Sequence, residues 1–323
     1  MKAVRIHQVG GPEVLKYEDC PDPTPGPGQA LVEVQAVGVN FTDVNTRRGG
    51  ANPPPSLPMT PGREAAGLVR AVGRGVTEVK LGDLVTYCGV TGSYAQKVAV
   101  PANVLVKMPQ GLDARMGAAV LLQGMTAHYL AYSTYPLKQG DSALVHAGAG
   151  GTGLLLIQMA KRAGAYVFAT VSTEDKAALA REAGADKVII YTRQDFEEEV
   201  KKATNGQGVQ VVYDSVGKTT FDKGLNCLAR RGYMVLYGQS SGPVPPVDTA
   251  RLGNGSRFLT RPALGDYTPD RDDLLWRAGE VLRWVKSGEL DVHIGGTFPL
   301  ANAAEAHRQL EGRLSTGKLL LIP

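Results

Sequence analysis

An α/β protein with a doubly wound parallel sheet and a second, strand-rich domain is the architecture this sequence predicts, on three observations. From about Ala114 to Gly238, apolar strands alternate with helical segments. Within that stretch a glycine-rich turn joins a strand to an amphipathic helix. Ahead of it, residues 1 to about 120 read as short strands separated by Gly and Pro. Strand–helix alternation implies a parallel sheet covered on both faces, and many short strands between tight turns imply a compact, barrel-like antiparallel domain.

In chain order, the Pro-Gly-rich stretch Pro21 to Gly28 precedes the alternating strand Ala30 to Val37. Shorter apolar pieces follow at Ala66–Val69 with Ala71-Val72, at Leu84–Tyr87 and at Tyr94–Val100. The second pattern gives strands at Ala143–His146, Tyr166–Val171, Lys187–Tyr191, Val209–Asp214 and Tyr233–Tyr237, with helices over Leu154–Ala163 and Asp175–Ala183. Helices around Asp272–Ser287 and Ala301–Leu310 and a strand Lys318–Ile322 end the chain, and that last strand is a candidate to return to the first domain.

Composition sets limits. The 323 residues exceed what one core usually holds, and 43% hydrophobic with 20% charged residues is ordinary for a globular protein. The 40 glycines and 20 prolines are neither periodic nor confined to a tail, so they read as turns. A net charge of +4 with basic pairs only, Lys201-Lys202 and Arg230-Arg231, argues against a nucleic-acid arm and suits a small anionic cofactor. Cys20, Cys88 and Cys227 are scattered, so no disulfide framework is expected and a reducing cytoplasm is the expected location. Met1-Lys2-Ala3-Val4-Arg5 lacks an apolar signal core, and no apolar run approaches the ~18–20 residues of a membrane span.

Gly148, Gly150 and Gly153 satisfy G-x-G-x-x-G between a strand and a helix. The first glycine permits the turn, the second lets backbone approach a pyrophosphate, and the third allows close helix–strand packing; the helix N-terminus meets the phosphate charge. A purely structural corner is the alternative. The next strand ends Thr170-Val171-Ser172-Thr173 without the carboxylate that an NAD site places there, and Lys176 follows. Hydroxyls and an ammonium suit the 2′-phosphate of NADPH, although Glu174 or Asp175 could serve a ribose and Lys176 could be a solvated helix-start lysine.

Zinc enzymes need clustered thiolate, imidazole and carboxylate ligands. Three scattered cysteines rule out a four-cysteine site within the chain, and His7, His128, His146, His293 and His307 show no pairing, so hydride transfer without zinc is expected. His128 and His146 read as packing residues.

Several further motifs are ordered along the whole chain: Gly10-Gly11-Pro12-Glu13-Val14-Leu15, Val37-Gly38-Val39-Asn40-Phe41-Thr42-Asp43, Pro61-Gly62-Arg63-Glu64-Ala65-Ala66-Gly67, Gly124-Met125-Thr126-Ala127, Tyr213-Asp214-Ser215-Val216-Gly217 and Tyr237-Gly238-Gln239-Ser240-Ser241-Gly242. In these the sequence resembles the zinc-independent NADPH:quinone oxidoreductase (zeta-crystallin-like) branch of the medium-chain dehydrogenase/reductase superfamily. Asn40, Phe41 and Arg63 stand where zinc-containing relatives carry Cys, His and His.

The resemblance implies a GroES-like β-barrel catalytic domain over 1–123, completed by 265–323, and an NADPH-binding Rossmann domain over 124–264. It implies a cleft in which Asn40, Gly124, Thr126 and Lys318 line the nicotinamide side, with Tyr237 and the serine pair Ser240-Ser241 over the nicotinamide and Gln239 a further cofactor contact. Gly151, Thr152, Ser172, Lys176, Tyr191 and Ser215 then line the pyrophosphate and adenosine side, and dimerisation through the Rossmann domains is implied as well. Catalytic candidates are Asn40, whose amide either donates to a carbonyl oxygen gaining charge, the role the resemblance favours, or caps local backbone, and Asp43, either a proton relay or a helix cap. Tyr191 either hydrogen-bonds the adenosine phosphate or simply ends its strand. Close relatives carry tyrosines after Asn-Phe-x-Asp, whereas the loop here, Val44 to Asn52, has no aromatic residue.

The activity implied is NADPH-dependent reduction of a small soluble quinone. Reduction of an enone or enoyl double bond is the enzymatic alternative, and a cofactor- or RNA-binding protein on the same fold is the non-enzymatic one.

Overall fold

A computed structural model describes residues 1–50 and 56–323. The chain opens with an antiparallel pair, β1 (Lys2–Arg5) and β2 (Lys16–Asp19), then the long β3 (Gln29–Val39), helix α1 (Phe41–Arg47), β4 (Glu64–Val72), β5 (Leu84–Cys88), β6 (Lys97–Pro101) and β7 (Val106–Lys107). Helix α2 (Ala114–Tyr129) leads to β8 (Ser142–Val145), α3 (Gly151–Arg162), β9 (Tyr166–Val171), α4 (Glu174–Glu182), β10 (Lys187–Ile190), α5 (Phe196–Ala203), β11 (Val209–Asp214), α6 (Phe221–Asn226), β12 (Leu228–Leu236), α7 (Ala250–Gly253) and β13 (Phe258–Thr260). Helix α8 (Arg271–Ser287), β14 (Ile294–Pro299), α9 (Ala303–Glu311) and β15 (Lys318–Ile322) complete it.

Two compact units result, one from Met1–Gln123 with Thr268–Pro323 and one from Gly124–Tyr267. The first holds a seven-stranded sheet in the order β14-β15-β3-β4-β5-β7, with β6 on β3. β3 is its hub. Its first half alternates, burying Ala30, Val32 and Val34, and its last residues, Ala36 to Val39, are buried without alternation. The register shifts between Val34 and Ala36, so that Val37 and Val39 join the core of Val32 and Val34 while Ala36 packs with Ala114, Ala118 and Ala119 of α2; β15 pairs with Val37 to Val39. The terminal strand thus joins the N-terminal sheet.

The second unit holds a parallel six-stranded sheet, β10-β9-β8-β11-β12-β13. Its core strands are largely apolar, as burial on both faces demands; Val167, Phe168, Ala169 and Val171 of β9 are all buried. The sequence order reverses between β8 and β11, and at such a switch point the loops leaving the strand C-termini diverge to leave room for a ligand.

Three expectations change. The residues after Asn40 are not a loop: Phe41–Arg47 is helical, because Asp43 caps the start and Val44 and Arg47 bury one face. Asn45 therefore sits on a helix, and Asn52 lies outside the described residues. Helix α3 starts at Gly151, placing Gly151 and Gly153 in its first turn. Strand β12 starts at Leu228, five residues ahead of the apolar signal, through an irregular register opposite Val209–Val211.

Candidate active site

In the Gly124–Tyr267 unit the turn after β8 is made of backbone. A Cβ at Gly153 would lie 2.4 Å from the Ala147 carbonyl oxygen, and one at Gly148 would lie 2.9 Å from Ala169 Cβ. Neither glycine admits a side chain, which lets β8 and α3 pack closely around the turn. Ala147 is held at φ 53°, the left-handed region that costs a non-glycine residue about 1–2 kcal/mol. Gly150 caps α3 without a side-chain acceptor, leaving the first-turn N–H groups of Gly151, Thr152 and Gly153 to an anion. This cradle fits the pyrophosphate of a dinucleotide.

Neighbouring strands end at the same edge of the sheet. Ser172 follows β9, Tyr191 follows β10, Ser215 follows β11 and Tyr237 follows β12. Thr173 accepts from the Lys176 N–H at 3.3 Å, which sets Lys176 in the first turn of α4. Glu174, the carboxylate nearest the tip, is paired with Arg181 at 2.9 Å. Burial raises the Tyr237 phenol, opposed by its hydrogen bond to Ser215, and the Ser240 N–H donates to the Ser215 carbonyl at 3.1 Å. Gln239 lies in the same loop, while Gly124 and Thr126 are helical residues of α2. His146 is a packing residue with a partner, Thr170 Oγ1 at 2.9 Å, and His128 is buried beside Tyr132.

In the other unit a charged cluster is sealed in the sheet. Lys318, the first residue of β15, places its ammonium 2.5 Å from Glu64 Oε2 and 2.8 Å from Asn40 Oδ1. Lys318 is 1% exposed and Glu64 0%. Glu64 Oε1 accepts the Leu122 N–H at 2.7 Å. Gly38 makes this packing possible, because a Cβ there would lie 2.3 Å from the Ala118 carbonyl oxygen and 2.5 Å from Glu64 Oε2.

These contacts correct the role expected of Asn40. An ammonium only donates, so the amide atom facing Lys318 must be the oxygen. The amide nitrogen then donates to Glu64 Oε2 at 2.9 Å and to the Gly38 carbonyl at 3.1 Å. Both amide hydrogens are spent, and none remains for a substrate carbonyl.

Asp43 acts as the cap. Its Oδ2 accepts the Asn40 N–H at 2.9 Å and the Tyr94 hydroxyl at 3.1 Å, and its Oδ1, fully buried, has no partner among the described residues. Burial accordingly pushes its carboxyl up to about 7, against the pull of the Asn40 N–H, the Lys318 charge and the Tyr94 hydroxyl. Glu64, Tyr94 and His307 were missing from the candidates. Only Glu64 carried a signal, as an acid between apolar residues in a strand.

No group of three or more His, Cys, Asp or Glu side chains among the described residues is placed to hold a metal ion. Arg63 instead donates to the Gly89 carbonyl at 2.8 Å.

Comparison with known proteins agrees with this arrangement. Residues 26–110 match the alcohol dehydrogenase GroES-like domain family and residues 151–274 the zinc-binding dehydrogenase family. A quinone oxidoreductase of Pseudomonas aeruginosa is 41% identical over 100% of this chain and 99% of its own. A 2-haloacrylate reductase of a Burkholderia species is 42% identical over 99% of this chain and 98% of its own. The structure of Escherichia coli quinone oxidoreductase complexed with NADPH superimposes with a TM-score of 0.97 at 40% identity, covering 100% of both chains. The chain belongs to the quinone oxidoreductase branch of the medium-chain dehydrogenase/reductase superfamily.

Proposed function

We propose that this chain is an NADPH-dependent quinone reductase that works without zinc. The observation that carries the reading is the glycine turn Gly148–Gly153 opening α3 at the switch point of the parallel sheet, with no room for a Cβ at Gly148 or Gly153. NADPH, when bound, supplies the hydride. Gly148, Gly150, Gly151, Thr152 and Gly153 hold its pyrophosphate through backbone and helix N-terminus. Ser172, Lys176 and Tyr191 take the 2′-phosphate end, which the engagement of Glu174 by Arg181 favours over a free ribose. Ser215 lines the pyrophosphate and adenosine side, Tyr237 and the Ser240-Ser241 pair lie over the nicotinamide with Gly124 and Thr126 of α2 beside it, and Gln239 is a further cofactor contact. The family resemblance assigns Asn40 and Lys318 to the nicotinamide side as well. Within their cluster Lys318 is the group with donor capacity left, since two of its three hydrogens have acceptors among the described residues. Asp43 is assigned to holding Asn40.

The chain's task is to orient the acceptor against the nicotinamide and to keep water from the transfer. Zinc independence rests on the residues that replace its ligands, Asn40, Phe41 and Arg63; stoichiometric, tightly bound zinc on metal analysis would overturn it. The scattered cysteines Cys20, Cys88 and Cys227 support a reducing cytoplasm as the location. It is assigned as a homodimer through the Rossmann units, where β13 is an edge strand bearing the half-exposed Phe258. Nucleic acid is not a partner on this reading, since Lys and Arg occur in pairs and not in tracts.

Titration with NADPH and NADH, followed by turnover with a panel of quinones and α,β-unsaturated carbonyl compounds, tests the reading. Tighter binding of NADPH and turnover of quinones are expected. Turnover of the unsaturated compounds alone would move the chain to double-bond reduction, a reading favoured by the haloacrylate-reducing relative.

A further inference from the structure

A file of buried polar side chains runs from the C-terminal helix α9 to Asn40. Arg47, His307, Tyr94 and Asp43 are each 0% exposed. The Arg47 guanidinium lies 3.2 Å from His307 Nδ1, His307 Nε2 lies 2.9 Å from the Tyr94 hydroxyl, and that hydroxyl lies 3.1 Å from Asp43 Oδ2. Asp43 Oδ2 in turn accepts the backbone N–H of Asn40.

The direction of every hydrogen bond follows from the one at the end. A guanidinium donates and never accepts, so His307 Nδ1 carries no proton. The imidazole proton is then on Nε2, which donates to the Tyr94 oxygen. Tyr94 has one hydrogen, and it points to Asp43. Burial and the Arg47 charge both hold the imidazole neutral, pushing it down to about 3. Arg47 itself is fixed by the Gly10 carbonyl at 3.0 Å and by Glu311, whose Oε1 accepts at 2.6 Å from Arg47 and from Arg48. The remaining charges facing Asp43 are Lys318 and Glu64.

This file cannot carry protons. A proton passed from Nε2 to Tyr94 would have to be replaced at Nδ1, and the neighbour there is an arginine, which does not release one. The expectation that Asp43 relays protons therefore fails along this route. What the file transmits is position.

We propose that His307 and Tyr94 are positioning residues of the reductase site: locked as the Nε2–H tautomer, His307 orients Tyr94, which fixes Asp43 and through it the backbone of Asn40. Capping stabilises α1, but a cap alone needs only the Asn40 N–H and Asp43. The added buried file, reaching Glu311, ties the start of α1 to α9. Groups wholly desolvated in this way cost stability unless each is satisfied, and here every member but Asp43 Oδ1 has its partner.

Two arms test the proposal. The first does not depend on the reductase reading. In ¹³C and ¹⁵N spectra of the intact protein, His307 is expected to show the Nε2–H tautomer and no titration from pH 5 to 8. An Nδ1–H tautomer, or titration in that range, would overturn it. The second arm compares His307→Gln with His307→Leu. A glutamine amide reproduces the polarity, accepting from Arg47 and donating to Tyr94, whereas leucine breaks the file. His307→Gln is expected to keep kcat/KM with a quinone and the Kd for NADPH within about twofold of the parent. His307→Leu, assayed well below its thermal midpoint, is expected to lose about tenfold or more in kcat/KM, a loss worth about 1.4 kcal/mol. Full activity in a folded His307→Leu protein would make the file merely structural. A His307→Gln protein as inactive as the leucine variant would make His307 an acid–base group; either result overturns the proposal.

Discussion

The turn Ala147–Gly153 draws its parts from seven consecutive residues, whereas the cluster around Lys318 draws on β3, β4, α2 and β15. The turn works by omission, since Gly148 and Gly153 leave no room for a Cβ and the first-turn N–H groups of α3 are left to an anion. The cluster works by mutual satisfaction, since Lys318, Glu64 and Asn40 are each buried and each answers another's hydrogen-bonding need. A turn packed this closely tolerates no added atom. A cluster made of side chains tolerates no missing partner.

The heaviest blow to the second kind of construction is Gly38→Ala. Its methyl group would collide with the Ala118 carbonyl oxygen and force Glu64 and Lys318 apart. Separating a buried ion pair costs about 3–5 kcal/mol, so a marked fall in thermal midpoint and in urea stability is expected. A loss below about 1 kcal/mol would mean that the cluster repacks freely.

For the first kind the sharpest test is a pair of alanines. Gly153→Ala places a methyl 2.4 Å from the Ala147 oxygen, while Gly150→Ala places one at 3.2 Å from the same atom. NADPH affinity, read by fluorescence titration, is expected to fall at least about tenfold, or 1.4 kcal/mol, in Gly153→Ala, and less in Gly150→Ala. The reverse order would show that close packing of helix and strand is not what shapes the turn.

The same contrast explains what could be read in the sequence. Strand and helix alternation, the glycine turn and the missing carboxylate after Val171 are local, and each was legible with errors of a few residues at element ends. Asn40 and Lys318 are 278 residues apart, and no spacing rule joins them. Their candidacy came from family resemblance, and of the two roles weighed for Asn40 its partners forbid the donor role and leave the amide bonded to local backbone and Glu64. Tyr94 and His307 stood as isolated residues, since nothing nearby in sequence reveals that 213 positions separate two ends of one hydrogen bond. The positive φ of Ala147 was equally hidden, because glycine neighbours draw attention away from it.

The smallest effect expected is also the one that isolates single groups inside the buried file. His307 is held down to about 3 from 6.5, so below pH 6.5 the unfolded chain takes up a proton that the folded chain refuses. Its contribution to stability therefore falls as pH drops from 6.5 toward 3. Asp43 is raised to about 7 from 3.8, so between those values the folded chain keeps a proton that the unfolded chain has released. Its contribution is full below pH 3.8 and is lost as pH rises through 7. Between pH 4 and 6.5 the two slopes have opposite sign and nearly equal size, so the pair is almost silent in the parent. Removing one member unmasks the other. Relative to the parent, Asp43→Asn is expected to gain stability with rising pH by about 1.4 kcal/mol per unit, and His307→Gln to lose it at the same rate. Urea unfolding at pH 5 and pH 6 reads the difference, and parallel stability profiles in parent and variants would show that neither group is perturbed as its burial requires.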